Sequence, residues 1–325
     1  MHYGRYIKVE FYNEAGLIAE FDEDVEIQFQ SETIVNGKEE HVLKLYNLSA
    51  TMRKMLTSRE DNIIIKIYAT YQELGENSVE KPFLIFEGEK LAYTERYWKH
   101  PVQRAQNNSI ISEVRLMSKG YKILNLNIQD NIKDSITTKN LFKRLEEKYE
   151  IFFNNKFTEP FWNSLKTYKK GKTSSGKLAE VLRSLQTIDE QKFSYFHYNE
   201  GIALIKRYKT EEEISADFLS NEGIILDYSL GDIIGNPQEM RKRKKYNKDL
   251  GIAEYGKSSM IVNVPLSRFN DFLFPGRPVK VIYNDTISYY NLYRKKYNIS
   301  NRENDFFHIE MELRIDFAED IFIDS

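Results

Sequence analysis

Asn47-Leu48-Ser49, a short stretch to Leu56, then Ile63-Ile64-Ile65-Lys66-Ile67-Tyr68: this progression decides the reading of the chain, because it returns near the other end. After the first copy come Leu84-Ile85-Phe86-Glu87-Gly88 and Ile110-Ile111-Ser112-Glu113-Val114-Arg115-Leu116. The second copy opens at Pro265-Leu266-Ser267 and runs to Leu273. Val279-Lys280-Val281-Ile282-Tyr283, Ile287-Ser288-Tyr289-Tyr290 and Phe307 to Phe317 follow. Identities are few, but order, spacing and residue classes agree. Two small β domains of one design offer one docking surface twice, which points to assembly rather than chemistry.

Working outward, the first third reads as β. Val25-Glu26-Ile27-Gln28-Phe29 alternates strictly, so one face is buried and the other wet. Asn36-Gly37 signals a hairpin, since both residues accept positive φ, and Val42-Leu43-Lys44-Leu45-Tyr46 is the return strand. Ser49 is placed to cap a short helix holding Met52, Met55 and Leu56. The middle third changes character. Leu141, Phe142, Leu145 and Tyr149 share one face of a helix over residues 134–149. A loop is expected at Lys169–Gly176, with Ser174 or Ser175 capping a helix that carries Leu178, Val181, Leu182, Leu185 and Ile188. Phe193–Arg207 reads as a hairpin turning at Asn199-Glu200-Gly201. The last third returns to β, with a turn at Leu230-Gly231-Asp232 and a closing strand whose Ile309, Met311, Leu313, Ile315 and Phe317 face one way. The expected fold class is α+β, mainly β. A first β domain spans 1–120, with a boundary near Gly120, a mixed α/β middle spans 121–222, and a second β domain spans 223–325.

Bulk numbers narrow the function. At 325 residues the chain can bury two or three cores. The 47 basic and 49 acidic residues leave a charge of −2, so no global field selects nucleic acid or an acidic membrane. With no cysteine there are no disulfides, thiol nucleophiles, thiolate zinc sites or iron–sulfur clusters. Met1 to Glu10 holds no signal-peptide core, and no run approaches the ~20 apolar residues of a membrane helix. Tyr 22 and Phe 20 are high counts, which suits strands and protein interfaces.

Chemical motifs are weak. His2, His41, His100, His197 and His308 are scattered, with no metal-binding spacing. Gly171-Lys172-Thr173 lacks the upstream glycine of a phosphate loop, and no Gly-x-Ser-x-Gly is present. Tyr289, Tyr290, Tyr293 and Tyr297 read as strand packing before a sugar platform. The strongest charge feature is Arg241-Lys242-Arg243-Lys244-Lys245. It reads as an exposed loop meeting an acidic protein partner. The alternative is a nucleic-acid-binding β-barrel that uses residues 241–248 to neutralise phosphates. No catalytic residues, cofactor or metal are expected.

The order of motifs resembles the baseplate hub proteins of contractile phage tails and tail-like particles. Tyr46-Asn47-Leu48-Ser49 with Thr51 matches that family's Tyr-Asn-Leu-Ser segment, and Leu84-Ile85-Phe86-Glu87-Gly88 its Leu-Ile-Phe-x-Gly. Ala69-Thr70-Tyr71 stands where the family has Ala-Gly-Tyr. Gly171, Thr173 and Gly176 match a Gly-x-Ser-x-x-Gly segment loosely. Asp232-Ile233-Ile234-Gly235-Asn236-Pro237 is similar to Gly-Leu-Ile-Gly-x-Pro, and Pro275-Gly276 precedes a strand as in the family. The resemblance implies two tube-like β-barrels per chain and a homotrimer whose barrels form a pseudo-sixfold ring. It implies, as partners, the tail-tube protein, the central spike or tip protein and other baseplate proteins. DNA would pass only as cargo, and no membrane anchor is implied. The location implied is the baseplate of a virion or tail-like particle, assembled in the bacterial host cytoplasm.

Overall fold

The computed structural model describes residues 3–36, 39–57, 62–73, 82–98, 109–131, 134–155, 157–168, 173–190, 192–197, 201–220, 223–240, 243–247, 252–255, 259–266, 275–302 and 307–316. The first third holds β1 (Tyr3–Asn13), β2 (Gly16–Phe21), β3 (Ile27–Ile34), β4 (Glu40–Tyr46), α1 (Ala50–Thr57), β5 (Ile64–Glu73), β6 (Phe83–Trp98) and β7 (Ser109–Ser118). The middle holds α2 (Lys119–Leu124), β8 (Asn127–Asn131), β9 (Ile136–Thr137), α3 (Thr138–Tyr149), β10 (Phe153–Asn155), α4 (Glu159–Ser164), β11 (Thr167–Tyr168), β12 (Thr173–Lys177), α5 (Leu178–Ile188), β13 (Phe193–His197), β14 (Ile202–Lys206) and α6 (Glu211–Asp217). The last third holds β15 (Ile224–Asp227), β16 (Ile234–Met240), β17 (Arg243–Asn247), β18 (Ile252–Tyr255), β19 (Ser259–Pro265), β20 (Pro278–Tyr283), β21 (Thr286–Ser300) and β22 (Phe307–Arg314).

Thirteen strands join in one sheet, in the spatial order β16-β19-β22-β21-β3-β4-β7-β6-β5-β1-β2, with β20 on β21 and β15 on β20. All its ladders are antiparallel except β15 on β20. The sheet contains one strand order twice. In the first half the neighbours run β3-β4-β7-β6-β5, and in the second β16-β19-β22-β21-β20. One irregularity repeats as well. The β6·β7 register slips between Lys90 and Ala92, and the β21·β22 register slips between Leu292 and Arg294. Helix α1 begins where Ser49 accepts the Met52 amide at 3.3 Å, and its second-copy counterpart, Ser267–Leu273, lies outside the described residues.

The expected barrels are not closed within the chain. Among the described residues, no ladder returns either half upon itself. The physical reason is that the outer edge of β3 is occupied by β21 of the other half. One hydrophobic cluster spans both halves, from Ile7, Phe29, Leu43 and Ile65 to Val262, Ile299 and Leu313. Tyr71 crosses it, donating to the Phe307 carbonyl at 2.8 Å and meeting the Phe307 ring edge-on. Fully burying each such aliphatic side chain is worth roughly 1.5–3 kcal/mol.

The middle region has its own core. Leu141, Phe142 and Leu145 of α3 meet Leu178, Val181, Leu182 and Leu185 of α5, with Trp162, Phe193 and Tyr195. Helix α3 is capped by Thr137, which accepts the Asn140 amide, and ends at Glu150 in the left-handed region, φ 54°. Several sequence readings change here. Residues 173–177 form β12 on β8 rather than a loop, so Ser174 and Ser175 are strand residues. Glu180 caps α5 instead, accepting the Lys177 amide at 3.0 Å. Gly120 lies inside α2, whose start is capped by Ser118. The turn expected at 230–232 is present: a short helical turn, Tyr228–Leu230, ends at Gly231 with φ 77° and links β15, on β20, to β16, on β19.

Gly88 explains its motif. A methyl there would collide with the Met117 carbonyl oxygen and the Phe86 ring, which lies along the strand between Phe29 and His41. Gly88→Ala is therefore expected to cost about 1–3 kcal/mol by overpacking. Urea unfolding checks this; an unchanged midpoint would show that Phe86 has room to move.

Candidate assembly interface

The seam between the two halves is the β21·β3 ladder, running from Arg294 opposite Ile34 to Ser300 opposite Gln28. Strand β21 is 15 residues long, enough to serve three neighbours. Its first part, Thr286–Asn291, pairs with β20; after the register slip the same edge turns to β3; the other edge carries β22 from Asn291 to Ile299. Tyr290, Tyr293 and Tyr297 are buried, so the aromatic run packs the seam and its surroundings rather than offering a platform.

Charge pins this seam. The Arg294 guanidinium reaches Glu32 of β3 at 3.3 Å and Glu310 and Glu312 of β22 at 3.0 and 3.1 Å. Arg314 meets Glu312 at 2.6 Å and lies 3.6 Å over the Tyr293 ring. Burial pushes the neighbouring Lys295 ammonium down to about 8.

The tip of the β3–β4 hairpin ties in the middle region. Asn36 sits at φ 55°, as its hairpin signal implies, and Gly37 lies outside the described residues. The Asn36 amide donates to the Tyr195 carbonyl at 2.9 Å, while its side-chain oxygen accepts from the Tyr195 amide and from Gln186, both at 3.0 Å. Beside it, Val35 donates to the Tyr293 carbonyl at 3.1 Å, so both halves and the middle converge on one turn.

Glu39 stands just beyond that tip. Its Oε2 lies 2.7 Å from His41 Nε2 and 2.8 Å from His197 Nε2, and its Oε1 accepts the Ser118 amide at 2.6 Å. All three side chains are almost fully buried. Burial works to raise the Glu39 carboxyl, but the His197 and His41 imidazoles outweigh it and hold the group far below the usual carboxylate range. Two histidines that look unrelated in sequence thus share one carboxylate, clasping β4 and β7 to β13. Nothing in their spacing could reveal this; only the fold brings residue 197 to residue 39.

The remaining candidate residues are placed as follows. Arg241 and Lys242 lie outside the described residues. Arg243, Lys244 and Lys245 open β17, which pairs with β18, so a two-stranded ladder replaces the expected loop. Tyr246 opposite Ala253 and Asn247 opposite Ile252 hold that ladder. His2, His100 and the P-loop-like Gly171-Lys172 fall outside the described residues. Among the described residues, no cluster of His, Asp and Glu is arranged to hold a metal ion.

No family model matches the sequence, and no curated protein matches it either. Solved structures do share the fold. A 43 kDa tail protein of prophage MuSo2 from Shewanella oneidensis superposes with a TM-score of 0.55 at 9% identity, over 94% of this chain and 96% of that one. A tail protein from Neisseria meningitidis MC58 gives 0.50 at 12% identity, over 96% of each. The fold is that of phage tail proteins along nearly the whole chain, as the resemblance in sequence implied.

Proposed function

We propose that this chain is a non-enzymatic, structural baseplate hub of a contractile tail or tail-like particle. In this reading three copies make a pseudo-sixfold ring that joins the tail tube to the central spike. The carrying observation is the strand order that occurs twice in one sheet, down to the matching register slips in β6 and β21. Two like units per chain turn three copies into six positions, which suits a part set between a sixfold tube and a threefold spike. The shared fold of two prophage or bacterial tail proteins supports the reading. The organisation proposed is a first β unit at 1–120, a middle at 121–222 and a second β unit at 223–325. Each unit is barrel-like only once neighbours supply its missing walls. Partners would be the chain itself, the tube protein, the spike and other baseplate proteins, with DNA passing as cargo. Among the described residues no helix is long and apolar enough to cross a membrane.

Imaging of assembled particles tests this. Density for this chain at the tube–spike junction with threefold symmetry is expected; a position elsewhere, or another symmetry, would sink it. The basic residues Arg241, Lys242, Arg243, Lys244 and Lys245 are assigned to a protein contact. Changing all five to Ser or Gln should shift stability by no more than about 0.5 kcal/mol per site and leave DNA binding at background. Tight, salt-dependent binding of duplex DNA by the wild type, lost in the variant, would instead favour the nucleic-acid reading.

A further inference from the structure

A cavity of about 170 Å³ opens where the middle region meets the last third of the chain. Strand β10, the start of α4, the end of β14 and the end of α6 line it on one side, and residues 276–278 on the other. Junctions of this kind are common places for small ligands. Gly276 sets how closely the two parts approach. Its φ is 90°, and a methyl there would strike the Ile205 side chain of β14.

Two kinds of group line the cavity. The first is aromatic. Phe157 and Phe161 are half-buried, with ring centroids 4.4 Å apart, and Trp162 backs Phe157 edge-on at 5.0 Å. The second is polar. Lys206 and Asp217 form an ion pair at 2.5 Å, and the Tyr208 hydroxyl bonds the same carboxylate. Burial and that carboxylate push the Tyr208 hydroxyl up, so it stays a donor. Asn154 and Asn155 are exposed on β10, the edge strand of its three-stranded sheet. The Asn155 side-chain oxygen accepts the Phe157 amide at 3.4 Å. The Asn155 amide nitrogen and the whole Asn154 amide have no partner among the described residues.

These groups narrow the ligand. Lys206 is matched by Asp217, and Arg277, the other cation of the lining, is itself engaged. The cavity therefore offers no lone charge to an ion. Amides, a carboxylate and an ammonium all pair with hydroxyls, which donate and accept at once. Aromatic rings add flat apolar faces. A pyranose carries both complements, hydroxyls around its rim and C–H groups on its faces. We propose that this cavity binds one pyranose unit of a neutral saccharide. Its C–H face would lie on Phe157 and Phe161, and its hydroxyls would meet Asp217, Lys206 and the two asparagine amides. The binding does not depend on how many copies form the ring.

Saturation-transfer NMR on the full chain tests this, with glucose, galactose and N-acetylglucosamine as probes. One sugar should bind with a Kd on the order of 1 mM, the scale for so small a ligand. Asp217→Asn should weaken it about tenfold or more, as for one hydrogen bond to a charged group. Phe161→Leu keeps apolar volume but removes the flat face, and should weaken it too. Asn154→Ala, on an exposed edge, keeps the test open if either of those variants fails to fold. Leu219→Ala should change nothing, since Leu219 is 89% exposed and outside the lining. Maltotetraose and chitotetraose separate the sources of the sugar. Tighter binding of a tetramer than of its monomer supports a polymeric glycan, and equal binding supports a free sugar. No binding of any probe, or binding that all three lining variants leave unchanged, overturns the site and leaves the hub reading untouched.

Discussion

Glu39→Gln is expected to lower the unfolding free energy by about 3 kcal/mol, the scale for removing one partner of a buried ionic contact. The change leaves His41 and His197 buried and facing a neutral amide in place of the carboxylate they share. The Ser118 amide keeps an acceptor only if the Gln carbonyl takes its side. The loss also depends on pH. The folded Glu39 carboxyl is depressed below its ordinary 4.5, so its contribution is fully present above about pH 4.5 and fades as pH falls towards the folded value. The groups facing it are the two imidazoles and the Ser118 amide, with Ser31 against the far nitrogen of His41 at 2.7 Å and the Tyr121 ring edge-on to His197. Wild type and Glu39→Gln should therefore differ most at neutral pH and converge in acid. Denaturant unfolding at pH 7 and at pH 3 reads this. Curves that stay parallel, or a neutral-pH difference below about 1 kcal/mol, would show that the clasp adds little.

Much of the fold was legible because strand alternation and helix periodicity are local. Ile309, Met311 and Leu313 alternate, and all three are fully buried in β22. Leu178, Val181, Leu182 and Leu185 keep helical spacing, and all four are buried in α5. The repeat was legible for the same reason, since each copy carries the same succession of faces. What alternation cannot state is which strand lies at an edge. Thr286–Ser300 could have closed its own unit; that it turns to residues 28–34 is a long-range choice invisible to any window of sequence. Segment 173–177 was misread because Ser, Thr and Gly favour turns, yet its ladder with β8 outweighs that local preference. Glu39 was missed because an acidic residue before a strand ordinarily faces water. Its burial depends on His197, which the middle region brings from far along the chain.

Arg294→Ala is expected to be the other costly change, at about 2–3 kcal/mol. Its guanidinium is the shared counter-charge for Glu32, Glu310 and Glu312, so truncation leaves three carboxylates around one gap, with Arg314 still on Glu312. The side chain is 20% exposed, which places the cost below that of a fully buried pair. Arg294→Lys should recover only part of it, because one ammonium cannot present a planar fork to three acceptors. Glu32→Gln should cost under about 1 kcal/mol, since that carboxylate is partly wet. The location of the effect matters as much as its size. Arg294 joins β21 to β3, so amide exchange should quicken along Gln28–Ile34 before it does in α3 or α5. A uniform rise in exchange, or an Arg294→Ala protein as stable as wild type, would mean that the shared apolar core alone holds the halves together.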